Sequence, residues 1–169
     1  PIFLLGMRGA GKSTLGKALA DALSWPFMDA DELLEKRHQK SLAEWIQQDE
    51  ADFRQAEANL LEELFSEDQT VIALGGGAIK SPSSLGLLRS HPQVLALHAS
   101  LETLIQRQAK APRPPLTQLS LEEEVAQLWQ QRASAYDLAT GGRWFSTDGE
   151  QGSTLDRLLA ATRAWHAVN

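Results

Sequence analysis

Short apolar runs alternate along the chain with longer segments in which apolar residues recur every three or four positions. The apolar runs predict five β-strands, at residues 2–5, 26–29, 70–74, 93–97 and 143–147. The periodic segments predict α-helices at 12–23, 31–37, 42–47, 50–66, 82–90, 101–109, 121–139 and 153–167. Strands that alternate with helices favour a parallel sheet with helices on both faces. We therefore predict an α/β fold, a three-layer α/β/α domain with a central five-stranded parallel sheet.

Composition narrows the class of protein. A chain of 169 residues with 43% hydrophobic and 22% charged residues fits a single globular domain over residues 1–169. The net charge of −6 and the lack of a basic patch argue against nucleic-acid binding. No apolar run has the roughly 20 residues of a membrane span. The apolar start lacks a basic leader, and there is no cysteine, so we expect a first strand rather than a signal peptide and a cytoplasmic protein.

A glycine-rich motif follows the first predicted strand. The stretch "GMRGAGKST" begins at Gly6 and satisfies G-x-x-x-x-G-K-[ST] through Gly11, Lys12 and Ser13. Glycines at 9 and 11 allow backbone N–H groups to surround phosphate oxygens at the start of the next helix. Lys12 is suited to the β and γ phosphates and the Ser13 hydroxyl to Mg²⁺. The alternative, a glycine turn with an exposed lysine, does not account for a strand before the motif and a helix after it.

Two carboxylates come after the second predicted strand. In "MDADELLEKR", Asp29 and Asp31 are two residues apart, so an extended backbone would direct both side chains to one side. At the end of a parallel strand that side is the ligand crevice, where one carboxylate would hold Mg²⁺ through water and the other would act on an attacking hydroxyl. Helix N-capping by Asp29, with Glu32 in the first turn, is the alternative interpretation.

Two arginines stand at positions that structure alone explains poorly. Arg132 falls on an apolar helical stripe between Leu128 and Tyr136. A guanidinium on a buried face needs an anionic partner. Arg54 lies near a predicted helix N-terminus, where its charge opposes the helix dipole. An internal salt bridge for Arg132 and a solvated charge for Arg54 remain the alternatives.

Two further segments await an explanation. The run Gly75, Gly76 and Gly77 follows the third predicted strand, and it marks either a turn or a place where something approaches the backbone closely. The proline-rich stretch at 108–119 fits neither helix nor strand, and it is either a connection or a lid that closes over a reaction.

Taken in order, "GMRGAGKST", "DAD", "FR", "LGGGAIKSP", "RPPL" and "QRASAY" resemble the shikimate kinase family, from about residue 2 to about residue 148. The phosphate loop and the D-x-D pattern are shared with many small-molecule kinases, whereas the three glycines with Arg54 and Arg132 are more specific. The resemblance implies a P-loop kinase fold and transfer of the γ-phosphoryl of MgATP to the 3-hydroxyl of shikimate. It also implies an acceptor-binding insertion at about 30–58, a lid at about 108–119 and a monomer.

The resemblance further implies roles for individual residues. In it, Lys12, Asp31 and Arg113 are catalytic, and Ser13 and Asp29 hold Mg²⁺. The expected nucleotide-binding residues are Gly9, Ala10, Gly11, Lys12, Ser13, Thr14 and Arg113. The expected acceptor-binding residues are Asp31, Arg54, Gly75, Gly76, Gly77 and Arg132. In the family the glycine run is a floor shared by donor and acceptor, on which side chains would collide with a ligand.

Other interpretations stay open at this point. A kinase for another hydroxy acid such as gluconate also needs a carboxylate clamp. A nucleotide-binding protein without turnover would keep the phosphate loop alone. No adenine contact is assigned after residue 139. Trp45 and Trp129 are expected either beside the acceptor cleft or, preferably, in the core, and the four histidines on the surface or in structural positions.

Overall fold

The computed structural model describes residues 1–111, 115 and 117–166, and in this part of the chain five strands alternate with eight helices. The strands are β1 (Ile2–Leu5), β2 (Phe27–Asp29), β3 (Val71–Ala73), β4 (Val94–His98) and β5 (Trp144–Ser146). The helices are α1 (Lys12–Leu23), α2 (Ala30–His38), α3 (Leu42–Gln48), α4 (Glu50–Leu64), α5 (Pro82–Ser90), α6 (Leu101–Lys110), α7 (Leu121–Thr140) and α8 (Gln151–His166). None of these helices is long and apolar enough to cross a membrane.

All strand pairs in the sheet are parallel, in the order β2-β3-β1-β4-β5. In the central strand, Phe3 pairs with Ile72 on one side and with Val94 on the other. The four residues of β1 are fully buried, as expected for a sheet with helices on both faces. The predicted three-layer α/β fold is confirmed.

The topology brings the predicted motifs to one edge of the sheet. The phosphate loop follows β1, Asp29 ends β2, and the three glycines follow β3. Parallel strands have their carboxyl ends on the same edge, and ligands bind there where the strand order reverses direction. Here that point lies beside β1, because the chain fills β2 and β3 on one side of it and then crosses to β4 on the other side.

Element boundaries differ from the prediction in two places that matter. Helix α2 begins at Ala30, because the Asp29 side chain accepts hydrogen bonds from the Asp31 and Glu32 backbone N–H groups, at 3.1 and 3.4 Å. The premise that Asp29 and Asp31 share an extended segment is therefore wrong. Helix α4 ends at Leu64 instead of residue 66, where a tighter turn follows.

His91 is a titratable residue packed against the core at the amino end of the sheet. Its ring packs edge-on against Phe3 and Phe65, and its Nδ1 accepts the Gln93 backbone N–H at 3.2 Å. Burial, with smaller effects from nearby positive charge, lowers the pKa of His91 to about 4. Protonation would also remove the acceptor on Nδ1.

We expect the free energy of unfolding to fall as the pH drops from 6.5 to about 4, since the unfolded chain binds the extra proton throughout that window. In the His91→Gln variant the fall should be smaller by about 1–2 kcal/mol. This figure is below the one that the full pKa shift would give, because the ring is partly exposed. Urea unfolding at several pH values measures it, with the exposed His38→Gln as control. Parallel pH curves for wild type and His91→Gln would contradict the expectation.

Candidate active site

The phosphate loop leaves the start of helix α1 open. Gly11 precedes the helix with φ 91° and contributes no side-chain cap, so the first N–H groups of α1 lack a side-chain acceptor there. Gly9, with φ 82°, also adopts a backbone conformation that favours glycine. The Lys12 ammonium donates to the carbonyls of Gly6 and Met7, at 2.7 and 3.1 Å. The loop thus combines backbone donors, a helix N-terminus and a cation, the elements of a phosphate site.

Asp29 performs two tasks with its two oxygens. Its Oδ1 caps helix α2, and its Oδ2 accepts the hydroxyl hydrogen bond of Ser13 at 2.9 Å. The capping alternative is therefore correct for one oxygen, and it leaves the other beside the phosphate loop. A hydroxyl and a carboxylate at this distance are hard oxygen donors of the kind that Mg²⁺ prefers.

The three glycines at 75–77 each border a different candidate side chain. A Cβ built on them would lie 2.5 Å from Asp31 Oδ1, 3.0 Å from Arg132 Nη1 and 2.6 Å from Arg54 Nη1, in that order. None of the three has a φ in the left-handed region, so lack of bulk and not backbone freedom explains them. The sequence interpretation expected side chains here to collide with a ligand. In the structure a larger residue would first collide with side chains of the protein itself, because they already occupy the space.

Arg54 is held by two glutamates of its own helix. Its Nη1 donates to Glu57 Oε2 at 2.7 Å, and its Nε and Nη2 donate to Glu50 Oε1 at 3.3 and 3.2 Å. The side chain is 19% exposed. The solvated-charge alternative is therefore wrong, and the two carboxylates offset the unfavourable position near the start of α4.

Arg132 is buried in helix α7, with 7% of the residue exposed. No carboxylate among residues 1–111, 115 and 117–166 forms an ion pair with it, which contradicts the internal salt bridge. Its Nη1 and the Tyr136 hydroxyl both lie beside Gly76, and that hydroxyl donates to Gly76 O at 2.7 Å. Burial raises the pKa of Tyr136 to about 12, and Arg132 partly opposes the shift. A buried cation with a neutral partner is suited to an incoming anion.

Glu57 is a site residue that the sequence interpretation missed. It is 8% exposed, lies beside Gly75 together with Asp31, and lines the same cleft. Burial raises its pKa, the positive charge of Arg54 opposes this, and Asp31 adds to it. Its position on the buried stripe of α4, four residues after Phe53, is the same signal that drew attention to Arg132.

Arg107 is a second residue that the sequence interpretation missed. Its guanidinium donates to Gly9 O at 3.0 Å, to Thr147 Oγ1 at 2.9 Å and to Thr147 O at 2.6 Å. It therefore ties the phosphate loop to the segment after β5, where no contact was assigned. Arg107 lies outside the apolar stripe of Leu104 and Ile105 on α6, and no motif around it points to this role.

One cleft of about 1030 Å³ contains nearly all of these groups. Its size lies at the upper end of the usual range for small-molecule sites, and it joins the phosphate loop to the glycines and arginines. The predicted residues that line it are Gly9, Gly11, Lys12, Ser13, Thr14, Asp29, Asp31, Arg54, Gly75, Gly76, Gly77 and Arg132.

Among the described residues, Ala10, Trp45 and Trp129 are predicted positions that do not line this cleft, and Trp129 packs against the core. Ala10 is 1% exposed, and its N–H donates to Met7 O at 3.1 Å. Trp45 is 2% exposed and packs in the core, as preferred. Arg113 lies outside the described residues.

A P-loop kinase is the class of protein defined by this sheet order and by a phosphate loop that shares its cleft with carboxylates and arginines. Comparison with known proteins narrows the class. The sequence model of the shikimate kinase family matches residues 8–161. The protein named shikimate kinase 2 from Escherichia fergusonii is 40% identical over 141 residues, which cover 80% of this chain and 77% of that protein.

Solved structures agree. The shikimate kinase from Bacteroides thetaiotaomicron superposes with a TM-score of 0.88 at 32% identity, over 96% of this chain and 97% of that one. The shikimate kinase from Acinetobacter baumannii, solved in complex with shikimate, superposes with a TM-score of 0.82 at 29% identity, over 99% and 93% of the two chains. The chain belongs to the shikimate kinase family, which confirms the resemblance found in its motifs, and it is an ATP-dependent kinase.

Proposed function

We propose that the chain transfers the γ-phosphoryl of ATP to the 3-hydroxyl of shikimate and releases ADP and shikimate 3-phosphate. The observation that carries this is the pair of arginines, Arg132 beside Gly76 and Arg54 beside Gly77, in the same cleft as Asp31. Two guanidinium groups match a planar carboxylate. The acceptor in the Acinetobacter baumannii structure, shikimate, supports the same acceptor here.

For the donor, we assign the phosphates to the backbone of the phosphate loop and to Lys12. Lys12 would exchange the carbonyls of Gly6 and Met7 for phosphate oxygens, a change that needs only side-chain movement. Ser13 and Asp29 fit Mg²⁺, since nucleotide sites hold this ion through one or two protein oxygens together with the phosphates. A bound Mg²⁺ would neutralise charge on the phosphoryl groups.

For the acceptor, Asp31 would orient the 3-hydroxyl and accept its proton. The hydroxyl oxygen then bonds to the γ-phosphorus, the bond from that phosphorus to the bridging oxygen breaks, and ADP leaves. Arg54 and Arg132 would hold the carboxylate at the other end of the ring. With both ends fixed, positioning and charge stabilisation supply most of the rate.

The division into segments is also part of the proposal. We assign acceptor binding to the insertion at about 30–58, which contributes Asp31 and Arg54 to the cleft. Closure by the lid at about 108–119 and stabilisation of the moving phosphoryl by Arg113 remain predictions from the sequence. A monomer also remains a prediction from the resemblance to the family.

Production of ADP from ATP and Mg²⁺, measured with shikimate, gluconate, quinate or no acceptor, tests this function. We expect ADP to form with shikimate and not with gluconate, quinate or no acceptor. Addition of EDTA should abolish this turnover. A Lys12→Met preparation purified in the same way controls for contaminating kinases. Turnover with gluconate instead would overturn the acceptor, and ATP binding without turnover on any acceptor would indicate a nucleotide-binding protein.

A further inference from the structure

Lys80 and Glu50 form an ion pair at the edge of the cleft that no step above uses. Lys80 Nζ donates to Glu50 Oε1 at 2.7 Å, and both side chains are nearly half exposed. The same oxygen accepts the Nε and Nη2 groups of Arg54. One carboxylate oxygen therefore links a lysine in the turn after β3 to an arginine of α4.

The turn that carries Lys80 contacts Arg54 a second time. The Lys80 backbone N–H donates to Gly77 O at 2.9 Å, and Gly77 lies directly against the two terminal nitrogens of Arg54. One short segment thus meets the guanidinium through its backbone at Gly77 and through a side chain by way of Glu50.

Part of the Arg54 guanidinium stays available to a ligand. A guanidinium has five N–H groups. Among the described residues, Glu50 takes one each from Nε and Nη2, and Glu57 takes one from Nη1. Within this part of the chain one N–H on each terminal nitrogen remains for a ligand, and a pair of N–H groups on the two terminal nitrogens can bind a carboxylate in bidentate fashion.

Charge explains why Lys80 matters to this edge. Glu50 is a carboxylate at neutral pH, since the hydrogen bond from Lys80 leads the effects that lower its pKa. It would compete with an acceptor carboxylate for Arg54, and a half-exposed glutamate has many rotamers. Lys80 restrains Glu50 and offsets its negative charge.

We propose that Lys80 is a positioning residue for acceptor binding: through Glu50 it fixes the Arg54 guanidinium with two N–H groups directed to the acceptor carboxylate. The inference rests on the proposed function, because it assumes that Arg54 binds the acceptor. It adds a specificity element outside the direct contacts, on a turn that also carries the glycines.

Steady-state kinetics of Lys80→Met tests the proposal. We expect the KM for shikimate to rise about 3- to 5-fold, the size that an exposed ion pair allows, while kcat and the KM for ATP stay unchanged. Lys80→Arg should restore the KM. The matched control is Arg37→Met, which breaks the equally exposed Arg37–Glu63 pair at 2.6 Å outside the cleft and should change nothing.

A double-mutant cycle with Glu50→Gln examines the route of the effect. If Lys80 acts through Glu50, the double variant should be no worse than the more impaired single variant. Additive effects would overturn the route. An unchanged KM in Lys80→Met, with wild type active on shikimate, would overturn the inference alone. Inactive wild type would instead overturn the proposed function.

Discussion

Replacing Gly75 by alanine is expected to lower kcat/KM for shikimate by about 100-fold or more, because a displacement of about 1 Å in a reacting group has effects of that order. The new Cβ would lie 2.5 Å from Asp31 Oδ1 and 3.2 Å from Glu57 Oε1. Glu57 is buried and bound to Arg54, so Asp31 has to move. An aspartate side chain rotates easily, and the stability of the fold should therefore change little.

The separation of activity from stability is what distinguishes this variant from an ordinary core defect. We would measure kinetics together with thermal unfolding, and expect a Tm within a few degrees of wild type. Gly86→Ala is the control, since Gly86 lies in α5 with nothing within 4 Å of a built Cβ. A Gly75→Ala protein with wild-type kinetics would show that the position of Asp31 does not limit the reaction.

The fold could be predicted because its determinants are local. Apolar runs such as residues 2–5 and 93–97 lie between amphipathic segments, and that alternation leaves few topologies other than a parallel sheet. The phosphate loop was equally local, since one strand, one loop and one helix define it. The predicted boundary was wrong where a single side chain decides it. Asp29 is the example, because its carboxylate caps α2 immediately after β2.

The candidate site was predicted in part, and the gaps have a physical cause. Arg132 could be noticed because a charged side chain is unexpected among the apolar residues on the buried face of a helix. Glu57 occupies the same kind of position. The contacts between the glycines and Asp31, Arg54 and Arg132 join residues far apart in sequence, so no pattern within one element encodes them. Arg107 similarly acquires its contacts to Gly9 and Thr147 only when the sheet brings β5 beside the phosphate loop.

Asp31 and Glu57 offer two carboxylates beside Gly75, and the structure indicates different tasks for them. Glu57 is 8% exposed and receives Arg54 Nη1 at 2.7 Å, which suits it to hold that arginine in place. Asp31 is more exposed than Glu57 and lies two residues after Asp29, whose other carboxylate oxygen contacts Ser13 of the phosphate loop. We therefore assign the proton of the attacking hydroxyl to Asp31.

Asp31→Asn is accordingly expected to lower kcat by about 10²- to 10⁴-fold, the contribution of a positioned general base. Asparagine keeps the size and a hydrogen-bonding oxygen, so the KM for shikimate should change much less. Single-turnover measurements would assign the loss to phosphoryl transfer by separating it from product release.

Glu57→Gln provides the contrast within the same site. It weakens the hold on Arg54 without removing Asp31, so it should raise the KM for shikimate and leave most of kcat. The reverse pattern, in which Glu57→Gln abolishes kcat and Asp31→Asn spares it, would transfer the proton-accepting role to Glu57. That outcome would also give a function to the raised pKa of this buried glutamate, since a base with a raised pKa holds an accepted proton more readily near neutral pH.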